Sequence, residues 1–137
     1  MADFLFKTEP SEYSFADLRA KGEVVWDGVR NPVALKNLRE MKKGDRVFVY
    51  HTGSEKAVVG IARAASAAYP DPKAPAGSSL VVIDLAPVAA LKTPVTLATL
   101  KADREFAESP LVRQGRLSVV PLSSAQAATI ERLGGGK

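Results

Sequence analysis

Residues 46–51, Arg-Val-Phe-Val-Tyr-His, are β-branched or aromatic at four successive positions, which predicts a strand buried on both faces. A polar stretch at 52–56 predicts a turn, and residues 57–62, Ala-Val-Val-Gly-Ile-Ala, form a second strand pattern. We expect the two strands to pair as an antiparallel hairpin. Gly60 is expected at a bend of the kind that small barrels need at a corner.

Three further strands are predicted on either side of this hairpin, at 3–7, 80–88 and 117–121. Pro87 is expected to limit how far the second of them continues, because proline cannot donate to the ladder. Residues 24–26 are too few to be assigned as a strand from the pattern alone.

Short helices are expected before and after these strands, at 15–22, at 32–41, within 97–107 and from Ser123 to Gly134. Ser14 and Asn31 are predicted helix caps, and Ser123 with Gln126 is a capping-box pattern. About five strands with short helices around them favour an α+β domain built on a small curved sheet or barrel.

Length and composition limit the class of protein. The chain has 137 residues, which suits one domain over 1–137, with 134–137 expected as a disordered tail. The absence of cysteine excludes disulfides and thiolate metal sites, and the single histidine offers little to a metal, so no metal or cofactor is predicted. The acidic start and the lack of a long apolar run favour a cytoplasmic protein without a membrane partner.

The charge is unevenly distributed. The net charge is +4, and residues 29–63 carry eight basic and three acidic side chains. A local basic excess attracts polyanions, although many basic proteins simply have a solvated basic face. Nucleic acid is therefore one candidate partner.

Known catalytic patterns are missing from the sequence. It has no phosphate-binding glycine loop of the Walker or Rossmann type and no nucleophile elbow. His51, the one possible imidazole base, lies at the end of a predicted buried strand, where a histidine is usually structural. No catalytic residue is predicted.

Polar residues at the ends of predicted elements are the candidates for a binding site. They occur at 7–10, 26–31 and 50–51, and would edge an apolar pocket if these ends converge. A flat base could stack on Trp26 or Tyr50, have its edge read by Asn31, Thr8 or Ser118, and have its phosphate held by Lys7 or Arg30.

Four of these residues also have a structural explanation. Trp26 alone is more often a core residue, Asn31 is explained as a helix cap, and Lys7 can be solvated. Arg30 can pair with Asp27 or Glu9.

Several motifs together resemble those of the EVE-domain family, a PUA-like family close to the thymocyte nuclear protein group and related to the YTH and ASCH domains. The motifs, in matching order and spacing, are Phe-Lys-Thr-Glu-Pro at 6–10, Tyr-Ser at 13–14, Trp-Asp-Gly-Val-Arg-Asn at 26–31, Leu-Arg-Glu-Met-Lys-Lys-Gly-Asp at 38–45, Tyr-His at 50–51, Val-Val-Gly-Ile at 58–61 and Arg-Leu-Ser-Val at 116–119.

This resemblance implies a PUA-like β-barrel of five or six strands with short flanking helices. It also implies a binding module that reads a modified nucleobase, chiefly modified cytosine in DNA, with RNA as a second partner class. Carried over by motif, the ligand-binding residues would be Lys7, Thr8, Trp26, Val29, Arg30, Asn31, Tyr50, His51, Arg116 and Ser118. Phe4 and Leu5 stand where many members carry Trp or Tyr, so one aromatic wall is expected to be thinner.

Two other functions stay open at this stage. A pocket for a small molecule or free nucleotide would bind a mononucleoside as tightly as an oligomer. An enzyme centred on Lys7 or His51 would lose turnover when either residue is replaced while the fold persists.

Overall fold

The computed structural model describes residues 2–135, and the strands and helices of this part form a mixed α+β architecture. The strands are β1 (Asp3–Thr8), β2 (Val24–Trp26), β3 (Arg46–His51), β4 (Ala57–Ala64), β5 (Tyr69–Pro70), β6 (Val81–Thr96) and β7 (Val119–Leu122). The helices are α1 (Phe15–Lys21), α2 (Pro32–Arg39), α3 (Leu97–Lys101), a 3₁₀ helix (Arg104–Phe106), α4 (Pro110–Arg113) and α5 (Ser124–Leu133).

The strands form one curled sheet in the order β2–β6–β4–β3–β1–β7, with β5 paired to β6. The β3–β4 hairpin is antiparallel, as predicted, and lies inside the sheet. β1 runs parallel to β3, whereas the other pairs are antiparallel. The predicted α+β class with a curved sheet is confirmed, but the sheet has seven strands rather than five or six, because the short β2 and β5 also pair with β6.

The prediction that Pro87 limits the length of its strand is wrong, since β6 continues to Thr96. The pairing with β4 shifts at this point: Ala62 pairs with Pro87, and Ile61 pairs with Ala89. Val88 is thereby left out of the register as a bulge directly after Pro87, and prolines within sheets are found at such bulges.

Gly60 lies next to a register shift, in keeping with a bend, but a close contact gives a stronger reason for glycine. The ring of Phe15, the first residue of α1, packs directly against it. A Cβ at Gly60 would lie 2.4 Å from Cζ of Phe15. Helix α1 can therefore approach the sheet only because residue 60 has no side chain.

The helix termini follow the predicted capping chemistry. Both capping boxes are present, with Ser14 and Asp17 opening α1 and Ser123 and Gln126 opening α5. Helix α2 ends at Arg39, earlier than predicted, and the segment 97–107 divides into α3 and the 3₁₀ helix. Gly134, in the predicted tail, is buried and its carbonyl accepts a hydrogen bond from the amide of Thr93, while residues 136–137 lie outside the described part.

The core lies between the sheet and the helices, and the central strands β1 and β3 supply much of it. Leu5, Phe6 and Phe48 are fully buried. The buried Asn37 of α2 donates through Nδ2 to the carbonyl of Val119 at 2.8 Å, which ties α2 to the start of β7. Between residues 2 and 135, no helix combines the length and the apolar character needed to cross a membrane.

Candidate binding pocket

A cavity of about 680 Å³, called the main cavity below, opens beside the carboxyl end of β1 and the whole of β2. Five of the ten predicted site residues line it: Lys7, Thr8, Trp26, Val29 and Ser118. They come from three separate parts of the chain. The structure thus brings together the polar ends of β1 and β2 and the residue that precedes β7.

Trp26 forms an aromatic wall of the main cavity while it is also packed against the core. Its ring lies 5.7 Å from that of the fully buried Phe6 and 6.0 Å from that of Tyr13, centroid to centroid. The Tyr13 contact is edge-on, with 78° between the two ring planes. Trp26 therefore combines the core role with a surface that a ligand can reach, held in place by two neighbouring rings.

Lys7 is half-buried and held in place rather than freely solvated. Its Nζ donates to the carbonyl of Gly115 at 2.9 Å and lies 5.7 Å from the centre of the Tyr50 ring. Its backbone amide donates to the carbonyl of Ser118 at 2.9 Å. Burial lowers the pKa of Lys7, because the charged ammonium loses part of its hydration. The hydrogen bonds to Gly115 and Ser118 hold the 115–118 segment along the main cavity.

Thr8 positions Tyr13, a cavity residue that the sequence reasoning did not select. The Thr8 hydroxyl donates to the Tyr13 carbonyl at 2.7 Å. The Tyr13 hydroxyl is buried and has no hydrogen-bond partner within residues 2–135. Burial, with a smaller effect of the Asp17 charge, raises the pKa of Tyr13. The Tyr-Ser pair at 13–14 belongs to a motif already noted, so this residue could have been found there.

The main cavity also has acidic residues that are not among the ten predicted site residues. Glu12, Glu23 and Asp27 line it, together with the basic Lys7 and Lys21. Asp27 belongs to the polar segment 26–31, and the sequence offers it as a partner of Arg30. Within the described residues it forms no ion pair.

The other five predicted residues do not line the main cavity. Arg30 and Arg116 are exposed, and Tyr50 is buried beneath Lys7. The side-chain oxygen of Asn31 caps α2 by accepting from the amides of Val33 and Ala34, so its structural explanation holds. Only the amide nitrogen of Asn31 is left for a ligand.

His51 is buried, does not line the main cavity and has a structural role. Its Nε2 accepts from the amide of Phe15 at 3.0 Å, and its Nδ1 lies 2.8 Å from Oε1 of Glu55. A neutral ring with the proton on Nδ1 satisfies both contacts. His51 lines a second, more open cavity of about 500 Å³ with Phe15, Val59 and Pro94. Among residues 2–135, no group of three or more histidines or carboxylates is arranged to hold a metal ion.

The chain resembles known proteins in family, sequence and structure. The family model described as the EVE domain matches residues 2–133. Thymocyte nuclear protein 1 from Homo sapiens is 38% identical over 80 residues, which cover 50% of this chain. These residues cover 36% of the human protein, so the match spans about a third of that relative's length.

Solved structures resemble the fold over almost its whole length. A protein from Rhodopseudomonas palustris, solved by NMR, is 40% identical with a TM-score of 0.92, and the match covers 98% of this chain and 94% of that one. The human THYN1 protein in complex with 5-methylcytosine-containing DNA is 26% identical with a TM-score of 0.86, covering 100% and 99%. A YTH domain from Zygosaccharomyces rouxii, 14% identical with a TM-score of 0.59 and coverage of 97% and 86%, shares the fold alone.

Proposed function

The chain belongs to the EVE domain family, and on that premise we propose that it binds nucleic acid and reads a modified nucleobase, 5-methylcytosine in DNA, in the main cavity. The observation that carries the proposal is Trp26, an aromatic wall that is fixed from behind by Phe6 and Tyr13 and open to a cavity edged with polar groups. The similarity to a protein solved with 5-methylcytosine-containing DNA supports the choice of base.

The size and lining of the main cavity suit one flat base rather than a longer stretch of nucleic acid. An extruded base would stack on Trp26, and stacking on an aromatic side chain contributes about 1–3 kcal/mol per base. Lys7, near the carboxyl end of β1, and Ser118, just before β7, would donate to the acceptor atoms of the base. Because Trp26 is held by two other rings, little side-chain entropy would be lost on binding.

The phosphates would lie outside the main cavity, on the exposed Arg30 and Arg116. Both guanidinium groups flank cavity residues in the chain, Arg30 after Val29 and Arg116 two residues before Ser118. The overall charge of +4 favours association with a polyanion. No bond is made or broken in this proposal, which concerns binding alone.

The experiment uses the fluorescence of Trp26, the single tryptophan of the chain, during titration with DNA oligomers that carry 5-methylcytosine or cytosine at one position. We expect saturable quenching that is stronger for 5-methylcytosine. In a separate assay with labelled oligomers, Trp26→Ala should weaken binding by about tenfold to a hundredfold, the loss of one stacked base. Arg132→Ala, an exposed position on α5, is the matched surface control.

Other outcomes would replace this proposal. A response to RNA oligomers alone would change the partner class, and equal binding of a free nucleoside would favour a small-molecule pocket. Binding that is unaffected by Trp26→Ala would move the site away from the main cavity.

A further inference from the structure

We propose that Asp27 selects the base, by accepting a hydrogen bond from an exocyclic amino group such as N4 of cytosine. This inference rests on the proposed function, because it takes a base bound in the main cavity as its starting point. It assigns a specificity-determining role to a residue that is not among the ten predicted site residues.

The main cavity carries an excess of negative charge. Its lining carries three carboxylates, those of Glu12, Glu23 and Asp27, against the ammonium groups of Lys7 and Lys21. An excess of negative charge repels a phosphate, so the cavity favours the base over the backbone of a nucleic acid. The same excess disfavours a free nucleotide entering phosphate first.

The hydrogen-bonding groups of the main cavity match one kind of base edge. An ionised carboxylate only accepts, whereas Lys7 only donates and uses one bond on the Gly115 carbonyl, and Ser118 can do both. The base edge that matches this set has an amino donor followed by acceptor atoms. Cytosine has this order, N4 amine then N3 and O2, whereas thymine presents O4 to a carboxylate and a donor at N3.

Position along the chain singles out Asp27 among the three carboxylates. It directly follows Trp26, the ring on which the base would stack. Glu23 lies before the opposite end of β2, about 10 Å from Trp26 at ~3.3 Å per strand residue. Glu12 precedes Tyr13, whose ring supports Trp26 edge-on.

The state of the Asp27 side chain fits this role. It is exposed and takes part in none of the ion pairs found between residues 2 and 135. Its carboxylate therefore does not have to break an ion pair before it binds a ligand. Being shorter than a glutamate, it loses less side-chain entropy when it is fixed by a ligand.

The test compares 5-methylcytosine with thymine, which is 5-methyluracil and so keeps the ring and the methyl group while replacing the amine. Each base is placed opposite an abasic site in the same duplex, which removes the difference in base pairing. We expect the wild-type protein to bind the 5-methylcytosine duplex at least about tenfold more tightly. Asp27→Asn should reduce that ratio to within about twofold.

Glu23→Gln is the matched control, since it also removes one carboxylate from the main cavity. It should leave the ratio between the two duplexes unchanged, even if weaker repulsion of phosphates raises both affinities. A ratio that survives Asp27→Asn, in a protein whose binding still depends on Trp26, overturns the role of Asp27 alone. A wild-type protein that binds neither duplex overturns the proposed function as well.

Discussion

At the scale of single residues, Lys7 joins the stability of the fold to the chemistry of the main cavity. Its ammonium group is half-buried over the Tyr50 ring and donates to the Gly115 carbonyl. Burial lowers the pKa of Lys7 below its usual 10.5, so the folded protein binds this proton less well than the unfolded chain does. The charged form therefore carries a free-energy cost at neutral pH.

We predict that this cost is relieved as the pH rises. Between the folded pKa of Lys7 and 10.5 the unfolded state holds more protons, so the free energy of unfolding increases with pH in that window. Lys7→Met lacks the titrating group and should lack this increase, while binding DNA less well. Urea unfolding of both proteins at a series of pH values from 7.5 to 10.5 measures the difference, and parallel pH dependences over this whole range would contradict the burial argument.

The cavity residues that were predicted and those that were missed differ in a physical way. Lys7, Thr8 and Trp26 stand at strand ends where the apolar pattern stops, so a sequence can reveal them. The sequence marks Tyr13 only through the Tyr-Ser motif at 13–14, since its hydrogen bond from Thr8 and its contact with Trp26 form only in the folded chain. Asp27 lies in the polar segment 26–31, but nothing in the local sequence indicates that it lines the main cavity.

At the scale of elements, the packing of α1 on the sheet depends on Gly60. A Cβ at this position would overlap the Phe15 ring, with its nearest atom at 2.4 Å. Phe15 is itself buried, so its ring has little room to move. The strand and the helix are therefore adjusted to each other at this one contact.

We predict that Gly60→Ala lowers the free energy of unfolding by about 1–3 kcal/mol, the usual penalty for an overpacked core. Phe15→Ala removes the ring and should make the added methyl group tolerable. The double variant is therefore expected to lose less stability than the sum of the two single variants. Urea denaturation of the four proteins gives the coupling, and strict additivity would show that the two residues do not compete for space.

The two capping boxes offer a matched pair of substitutions. Ser14→Ala and Ser123→Ala each remove a hydroxyl that accepts from a backbone amide at the start of a helix, and each should destabilise the protein by about 1 kcal/mol. Only Ser14 follows directly on Tyr13, which lines the main cavity. Thermal unfolding should show similar losses, while oligomer binding should weaken for Ser14→Ala alone. Equal binding by both variants would mean that α1 does not position Tyr13.

The elements were predictable where local chemistry determines them. The β3–β4 hairpin and both capping boxes follow from residue type and spacing. Strands β2 and β5 have three and two residues, too few to show a period, and they form only because β6 extends beside them. The prediction for Pro87 was wrong because a bulge in the pairing with β4 accommodates this residue. Such a bulge cannot be recognised from the sequence of one strand alone.

At the scale of the whole molecule, the main cavity is a product of topology. The parallel pairing of β1 with β3 places Thr8 beside His51, and β7 returns along the other edge of β1 to bring Ser118 to Lys7. These contacts join residues more than forty positions apart, which no local pattern can indicate. The family resemblance, which covers nearly all of the chain, was the basis for predicting these residues as one site.

The distribution of charge leads to the last prediction, which concerns salt. The main cavity has an excess of carboxylates, so the attraction to DNA must come from cations outside it, and Arg30 and Arg116 are exposed beside it. If each neutralises one phosphate of a duplex, a plot of log affinity against log salt should have a slope of about −2. Arg30→Ala should reduce the slope by about 1, whereas Arg132→Ala, which removes the same charge from α5, should leave it unchanged. Fluorescence anisotropy from 50 to 300 mM salt measures the three slopes, and a slope near zero for the wild-type protein would mean that binding neutralises no phosphate of the duplex.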